Sequence, residues 1–99
     1  MTVRWSRRAV RDLVGVADYI ARDDAAAARR WVDRLRERAK LASAAPMAGR
    51  RVPEVARDDV RETYLRTYRI VYRVERSGIV VLTVFDGRRR FRRLNPDSN

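Results

Sequence analysis

The residues best suited to chemistry are the arginines near the end of the chain, in VFDGRRRFRRLNPDSN (residues 84–99). An apolar run ends there on one acid and one glycine, and five arginines follow within six positions. Guanidinium groups pair with phosphates and with carboxylates. The run could therefore hold nucleic acid or dock a partner, or it could only solubilise this end of the chain.

The composition limits the remaining chemistry. The chain has no cysteine and no histidine, which excludes thiolate nucleophiles, disulfides and cysteine-ligated zinc, and removes the usual general base at neutral pH. The net charge of +11 favours encounters with acidic partners of any class, whether nucleic acid or protein. No apolar stretch is long enough to span a membrane, and the first residues are too charged for a signal peptide, so we expect a cytoplasmic protein.

The elements that must position these arginines begin with two predicted helices. A short strand at residues 3–5 precedes a helix over residues 7–22, which Ser6 would cap. Two aspartates separate it from a second helix, AAAARRWVDRLRERAKLASA, which Pro46 ends. So short a connection predicts an antiparallel helical hairpin. Its apolar stripes are Ala9, Leu13, Val16, Ala17 and Ile20 in the first helix, and Ala28, Trp31, Val32, Leu35, Ala39 and Ala42 in the second.

The second half changes to a β-rich pattern. After a predicted loop at residues 46–60, the runs RETYL, YRIVYRV and IVVLTVF predict a meander of antiparallel strands. The layout is α+β, with the helical hairpin packed on one face of the sheet. Alternation places Arg69 and Arg73 on the second face, which is predicted to be partly open. We expect one domain over residues 1–93 and a flexible C-terminal end at residues 94–99.

Several stretches together resemble the RelE/ParE superfamily of type II toxins, most closely its ParE branch. They are GRRVPE (49–54), VRETYLRTYRIVYRV (60–74) and VFDGRRR (84–90), together with a D-L…Y-I-A pattern formed by Asp12, Leu13, Tyr19, Ile20 and Ala21. The resemblance covers roughly residues 3–90 and depends on the order and spacing of the motifs. It implies a cognate antitoxin, whose acidic tail lays a helix along the hairpin groove and often a strand against the sheet.

The two branches of the superfamily imply different chemistry. RelE-like toxins cut messenger RNA on the ribosome, and by resemblance Arg69 and Arg89 match or lie near phosphate-binding arginines. Glu54 matches a general base of one nuclease subgroup, although a loop salt bridge is its alternative interpretation. The lysines of RelE fall at Val60 and Glu62, and Asn95 lies near the place of a nuclease tyrosine. The nuclease set is therefore incomplete, because no acid for the leaving group is evident.

The ParE branch implies inhibition of DNA gyrase, which requires a binding surface and no catalytic residue, cofactor or metal. The candidate target-binding residues are Arg50, Arg51, Glu54, Arg88, Arg89 and Arg90. Three functions stay open at this point: a gyrase-poisoning binder, a ribosome-dependent endoribonuclease, and an antitoxin-bound module with weak or lost toxicity. Direct binding to nucleic acid also stays open.

Overall fold

Two helices and five strands form the α+β fold that the sequence predicts. The structure is a computed structural model and describes residues Met1–Asn99. The elements are β1 (Thr2–Trp5), α1 (Arg7–Ala21), α2 (Ala25–Ala44), a short 3₁₀ helix (Pro46–Ala48), β2 (Arg50–Arg51), β3 (Val60–Leu65), β4 (Tyr68–Glu75) and β5 (Gly78–Asp86). Neither α1 nor α2 has the length and apolar content needed to cross a membrane.

Side-chain caps fix where both helices begin. The Ser6 hydroxyl accepts a hydrogen bond from the Ala9 N–H at 3.0 Å and donates one to the Leu82 carbonyl at 3.0 Å, so it ties α1 to β5. The Asp24 carboxylate accepts from the Ala27 N–H at 3.0 Å and begins α2 in the same way. These caps satisfy backbone donors that have no partner inside the helix, which is why the helices start at these residues.

The sheet is mixed, with strand order β1-β5-β4-β3-β2. Strands β3, β4 and β5 form the predicted antiparallel meander. The first strand lies at one edge and pairs in parallel with β5, from Thr2 opposite Gly78 to Trp5 opposite Val81. At the other edge, β2 pairs with β3 inside the segment predicted as a loop. A two-residue strand carries no periodicity, so the sequence pattern could not reveal it.

Apolar side chains cover both faces of the sheet. The main core lies between the sheet and the helical hairpin and contains Ala9, Leu35, Ala39, Leu65, Ile70, Tyr72, Ile79, Val81 and Val84. A smaller group, here called the second-face cluster, contains Val52, Val60, Val71, Val80 and Leu82. The alternation predicted for β4 is present, since its even-numbered side chains enter the main core while Arg69, Val71 and Arg73 lie on the second face.

A β-bulge in β5 is fastened to α1 by Asp12. The pairing of β4 with β5 slips between Val71 and Tyr72, which leaves Leu82 without a partner in the register. The Asp12 carboxylate accepts hydrogen bonds from the Thr83 hydroxyl and, at 3.2 Å, from the Val84 N–H. The aspartate of the D-L pattern therefore has a structural role, because it holds the helix against the irregular part of the strand.

The last twelve residues, 88–99, here called the C-terminal strap, lie over the second face of the sheet. Phe91 and Leu94 pack against the second-face cluster. Further along, the Arg73 guanidinium donates to the Pro96 and Ser98 carbonyls at 2.9 and 2.8 Å. The strap covers much of a face that the sequence predicts to be partly open. The domain boundary at residue 93 and the flexibility of residues 94–99 stay predictions, although in the structure this end contacts the sheet.

Candidate functional site

Arg69 is the centre of a buried network of ion pairs on the second face of the sheet. It lies in β4 with only 6% of its surface exposed. Its Nε donates to Glu62 Oε1 at 2.7 Å, and its two terminal nitrogens donate to the two carboxylate oxygens of Glu54 at 3.1 and 3.0 Å. Both glutamates thus bind one guanidinium, and the pairing with Glu54 is bidentate.

Glu62 extends this network to the edge of the sheet. Its side chain is fully buried, and its second oxygen accepts a hydrogen bond from Arg50 Nε at 2.9 Å. Arg50 lies directly opposite Glu62 across the β2–β3 pair, while Arg69 is the diagonal neighbour of Glu62 in β4. The four side chains therefore alternate in sign in the order Arg50, Glu62, Arg69, Glu54, and we call them the Arg69 network.

Two phenyl rings close over the guanidinium of Arg69. The carbon at its centre lies 5.3 Å from the ring centre of Phe85 and 5.1 Å from that of Phe91. The two rings pack edge to face at 5.6 Å. Gly87 permits this arrangement, because a Cβ there would lie 2.9 Å from both Arg69 Cγ and the Thr67 carbonyl oxygen. Phe91 of the strap thus covers one side of the network.

The charges of the network stabilise one another. The hydrogen bonds from Arg69 lower the pKa of Glu54 below its usual value, and those bonds in turn raise the pKa of Arg69. Both groups are therefore ionised throughout the neutral range. A carboxylate held in this state accepts protons poorly, and the guanidinium beside it is already occupied.

The other candidate target-binding residues lie outside the network. Arg51 is exposed and lies in no ion pair, although it is next to Arg50. Arg88 pairs with Asp86 at 2.6 Å, and its hydrogen bonds are the main reason why the pKa of Asp86 falls to about 2. Arg89 and Arg90 are exposed and unpaired. The structure therefore brings Arg50, Glu54 and Arg69 together, and it places the arginines at 88–90 where the strap leaves β5.

Positions compared with the nucleases take other places in the fold. Val60 is fully buried in the second-face cluster, and Glu62 is the central acid of the Arg69 network. Asn95 lies on the strap and is exposed. No group of three or more acidic side chains is arranged to hold a metal ion.

Sequence reasoning missed Glu62 and Phe91 as parts of this site. The sequence carried one signal for Glu62. It is a lone acid in the middle of a predicted strand, and the next predicted strand, YRIVYR, carries two arginines that it could pair with. For Phe91 it was the pattern FRRL, in which two apolar residues are spaced so that both face the sheet while the arginines between them face outward.

A groove on the opposite side of the molecule is lined by apolar and basic residues. It lies between β1 and the last turns of α2, where Met1, Val3 and Trp5 face Arg36 and Lys40. The outer edge of β1 is unpaired, because β1 is the last strand of the sheet on that side. The groove thus combines a free strand edge, apolar side chains and two cations.

Comparison with known proteins agrees with this geometry. The model of the family described as "ParE toxin of type II toxin-antitoxin system, parDE" matches residues 3–91. A solved structure described as "Chromosomal ParDE TA system from P. aeruginosa" has the same fold, with a TM-score of 0.69 and 24% sequence identity over 85% of this chain and 92% of that one. No curated protein matches the sequence. Because the family model spans the helical hairpin, the sheet and the Arg69 network, the chain belongs to the ParE toxin family of type II toxin–antitoxin systems.

Proposed function

We propose that this ParE-type toxin inhibits DNA gyrase by binding to it, without cleaving RNA, and that a cognate acidic antitoxin neutralises it. The observation that carries the proposal is the Arg69 network. It occupies the two residues, Arg69 and Glu54, that the resemblance would assign to phosphate binding and general base in a nuclease.

A ribonuclease would need these groups to be free and correctly ionised. A general base works best when its pKa lies near the working pH, whereas the pKa of Glu54 is lowered by its bonds to Arg69. The guanidinium of Arg69 is bonded on three nitrogens and enclosed by two phenyl rings. Neither group is arranged to meet a substrate phosphate, so the geometry supports a toxin that acts through its surface.

The proposed contact surface combines the exposed end of the network with the start of the strap. Arg50 keeps 64% of its side chain exposed and Glu54 keeps 39%, so both present charge to solvent while their partners stay buried. Arg51 adds a free cation beside them. The arginines at 88–90 extend the charge beyond the end of β5. Exposed charges on a rigid support suit a protein target, because they need no rearrangement before binding.

The proposed antitoxin site is the groove between β1 and α2. Arg36 and Lys40 complement an acidic segment, and Val3 and Trp5 offer an apolar floor. An extended segment could also pair with the free edge of β1 by strand addition. Binding there would leave the Arg69 network and the strap untouched, so neutralisation would act by sequestration or by blocking access to the target.

The test is inducible expression in bacteria, with growth, DNA-damage signalling and translation scored separately, followed by supercoiling assays with purified gyrase. The proposal expects growth arrest with early DNA-damage signalling, continued bulk translation and inhibited supercoiling, all reversed by co-expressed antitoxin. Cleavage of messenger RNA on ribosomes with an empty A site would overturn it. Normal growth with intact antitoxin binding would instead identify a module that has lost toxicity.

A further inference from the structure

The C-terminal strap holds its arginines in a fixed outward arrangement. Its inward side chains, Phe91 and Leu94, are anchored on the second-face cluster, and Phe91 also packs against Phe85 and Arg69. The five arginines between and before these anchors are exposed, namely Arg88, Arg89, Arg90, Arg92 and Arg93. The arginine run is therefore part of the packed structure, because Phe91 and Leu94 of the same segment are partly buried against the sheet.

Backbone contacts hold the strap along its length. The Gly87 N–H donates to the Thr67 carbonyl at 2.6 Å where the strap begins. The Arg8 guanidinium donates to the Arg93 carbonyl at 2.6 Å, and Arg73 binds two further carbonyls near the end. These donors bind carbonyl oxygens and leave the guanidiniums of Arg89, Arg90, Arg92 and Arg93 free. Because the strap is already ordered in the free protein, a ligand that binds it loses little affinity to the ordering of the strap.

Of the five exposed strap arginines, only Arg88 lies in an ion pair, with Asp86. The other four, Arg89, Arg90, Arg92 and Arg93, lie in none. The cationic surface continues onto α1, which adjoins the strap through the contact between Arg8 and Arg93. There Arg7 and Arg11, one turn apart, are also exposed and unpaired. The start of a helix carries the partial positive charge of the helix dipole. Arginines placed there add like charge, and a bound anion would relieve the repulsion.

From this arrangement we infer that the strap is a binding site for the phosphate backbone of duplex nucleic acid. A second protein partner, in addition to the proposed target, is favoured less, because specific protein interfaces have an apolar centre, and the apolar residues of the strap face inward. Single-stranded nucleic acid is also favoured less. It is usually held by exposed aromatic side chains on which bases stack, whereas the aromatic residue of the strap faces inward. Guanidiniums on a fixed support suit backbone phosphates, which are read without regard to sequence.

The inference does not depend on the gyrase proposal, because its probe is nucleic acid alone. A short fluorescein-labelled DNA duplex and an RNA duplex of the same sequence would be titrated with the purified chain in about 50 to 200 mM salt, with binding followed by fluorescence anisotropy. Four phosphate contacts predict a slope of log affinity against log salt of about −3.6, or a loss of about 150-fold over that range. The duplex that binds more tightly identifies the source of the phosphates.

The decisive variant replaces Arg89, Arg90, Arg92 and Arg93 with glutamine. A matched control replaces four exposed, unpaired arginines elsewhere, at positions 22, 29, 30 and 76, and so has the same net charge. The strap variant is expected to lose most of the salt slope and at least about tenfold in affinity, while the control keeps both. Replacement of the four strap arginines with lysine is expected to restore the slope, because lysine keeps the charge.

Thermal melts would accompany each titration to show that the variants fold. Equal losses in the strap variant and the control would overturn the inference, because they would mean that only the overall charge matters. Tighter binding to a single strand than to either duplex would also overturn it. Unchanged duplex binding by the strap variant, together with lost binding to gyrase, would reassign the strap to a protein partner.

Discussion

Replacement of Glu62 by glutamine should destabilise the protein more than the same change at Glu54. The Glu62 side chain is fully buried and binds both Arg50 and Arg69. Glutamine has the same shape but carries no charge, and its amide nitrogen would face a guanidinium donor. Removal of one partner from a buried ion pair costs roughly 3–5 kcal/mol, because the remaining charge is left buried without compensation.

The structure places this variant near the lower limit of that range. Arg69 would keep its two hydrogen bonds to Glu54, and Arg50 is largely exposed and can be solvated. We therefore expect a loss of about 3 kcal/mol in the free energy of unfolding. For a domain of this size, such a loss lowers the melting temperature by about 12–24 °C. Urea denaturation at neutral pH would give the free energy, and a thermal melt would check it.

Glu54→Gln is the matched control, because it removes a carboxylate from the same guanidinium at a site with 39% of the side chain exposed. The control is expected to cost only about 0–1 kcal/mol. A double variant with methionine at residues 62 and 69 should recover much of the loss, since apolar replacement of a buried pair is often neutral. A Glu62→Gln variant within about 1 kcal/mol of the parent, or a control that is the more destabilised of the two, would contradict the buried pairing.

Three further predictions concern the core, the strap and the response to acid. Leu35→Ala should cost about 2–5 kcal/mol in a urea melt because Leu35 is fully buried, whereas Leu41→Ala, at a site 62% exposed, should cost less than about 0.5 kcal/mol. Replacement of the arginines at 88–90 with alanine should abolish toxicity in a growth assay but leave folding and antitoxin titration unchanged, and a folded variant that still kills would contradict this. The pKa of Asp86 is lowered from 3.8 to about 2, so its contribution to stability is complete above about pH 4 and is lost as the pH falls through 2. Melts of Asp86→Asn should show a weaker pH dependence in this window, and an unchanged dependence would exclude the pairing with Arg88.

Local signals account for most of what the sequence could predict about the fold. The helical stripes and the caps at Ser6 and Asp24 depend on neighbours within a few residues, so pattern and side-chain chemistry identify them directly. The parallel pairing of β1 with β5 depends on residues far apart in the sequence, and a four-residue strand carries no information about its partner.

The site was predicted less completely, for a related physical reason. Arg50, Glu54 and Arg69 could be named as charged residues in a suitable context, but their pairing depends on the register of three strands and on the path of the loop. Glu62 completes the network only because that register places it between two arginines. The strap looked like a free basic end because arginine dominates its composition, whereas its position is set by Phe91 and Leu94.

The pairing of β1 with β5 also sets an order of events during synthesis. Thr2 leaves the ribosome long before Gly78, its partner in the sheet. Until β5 emerges, the apolar faces of β1 and of the helical hairpin lack the strand that buries them, and contacts of such long sequence separation slow folding. The strap follows β5, so its arginines reach their positions last. The nascent chain therefore exposes the hairpin and the edge of β1 before its basic surface is assembled. If the groove at β1 is the antitoxin site, as proposed above, an antitoxin would have time to bind the chain before the proposed target-binding surface forms.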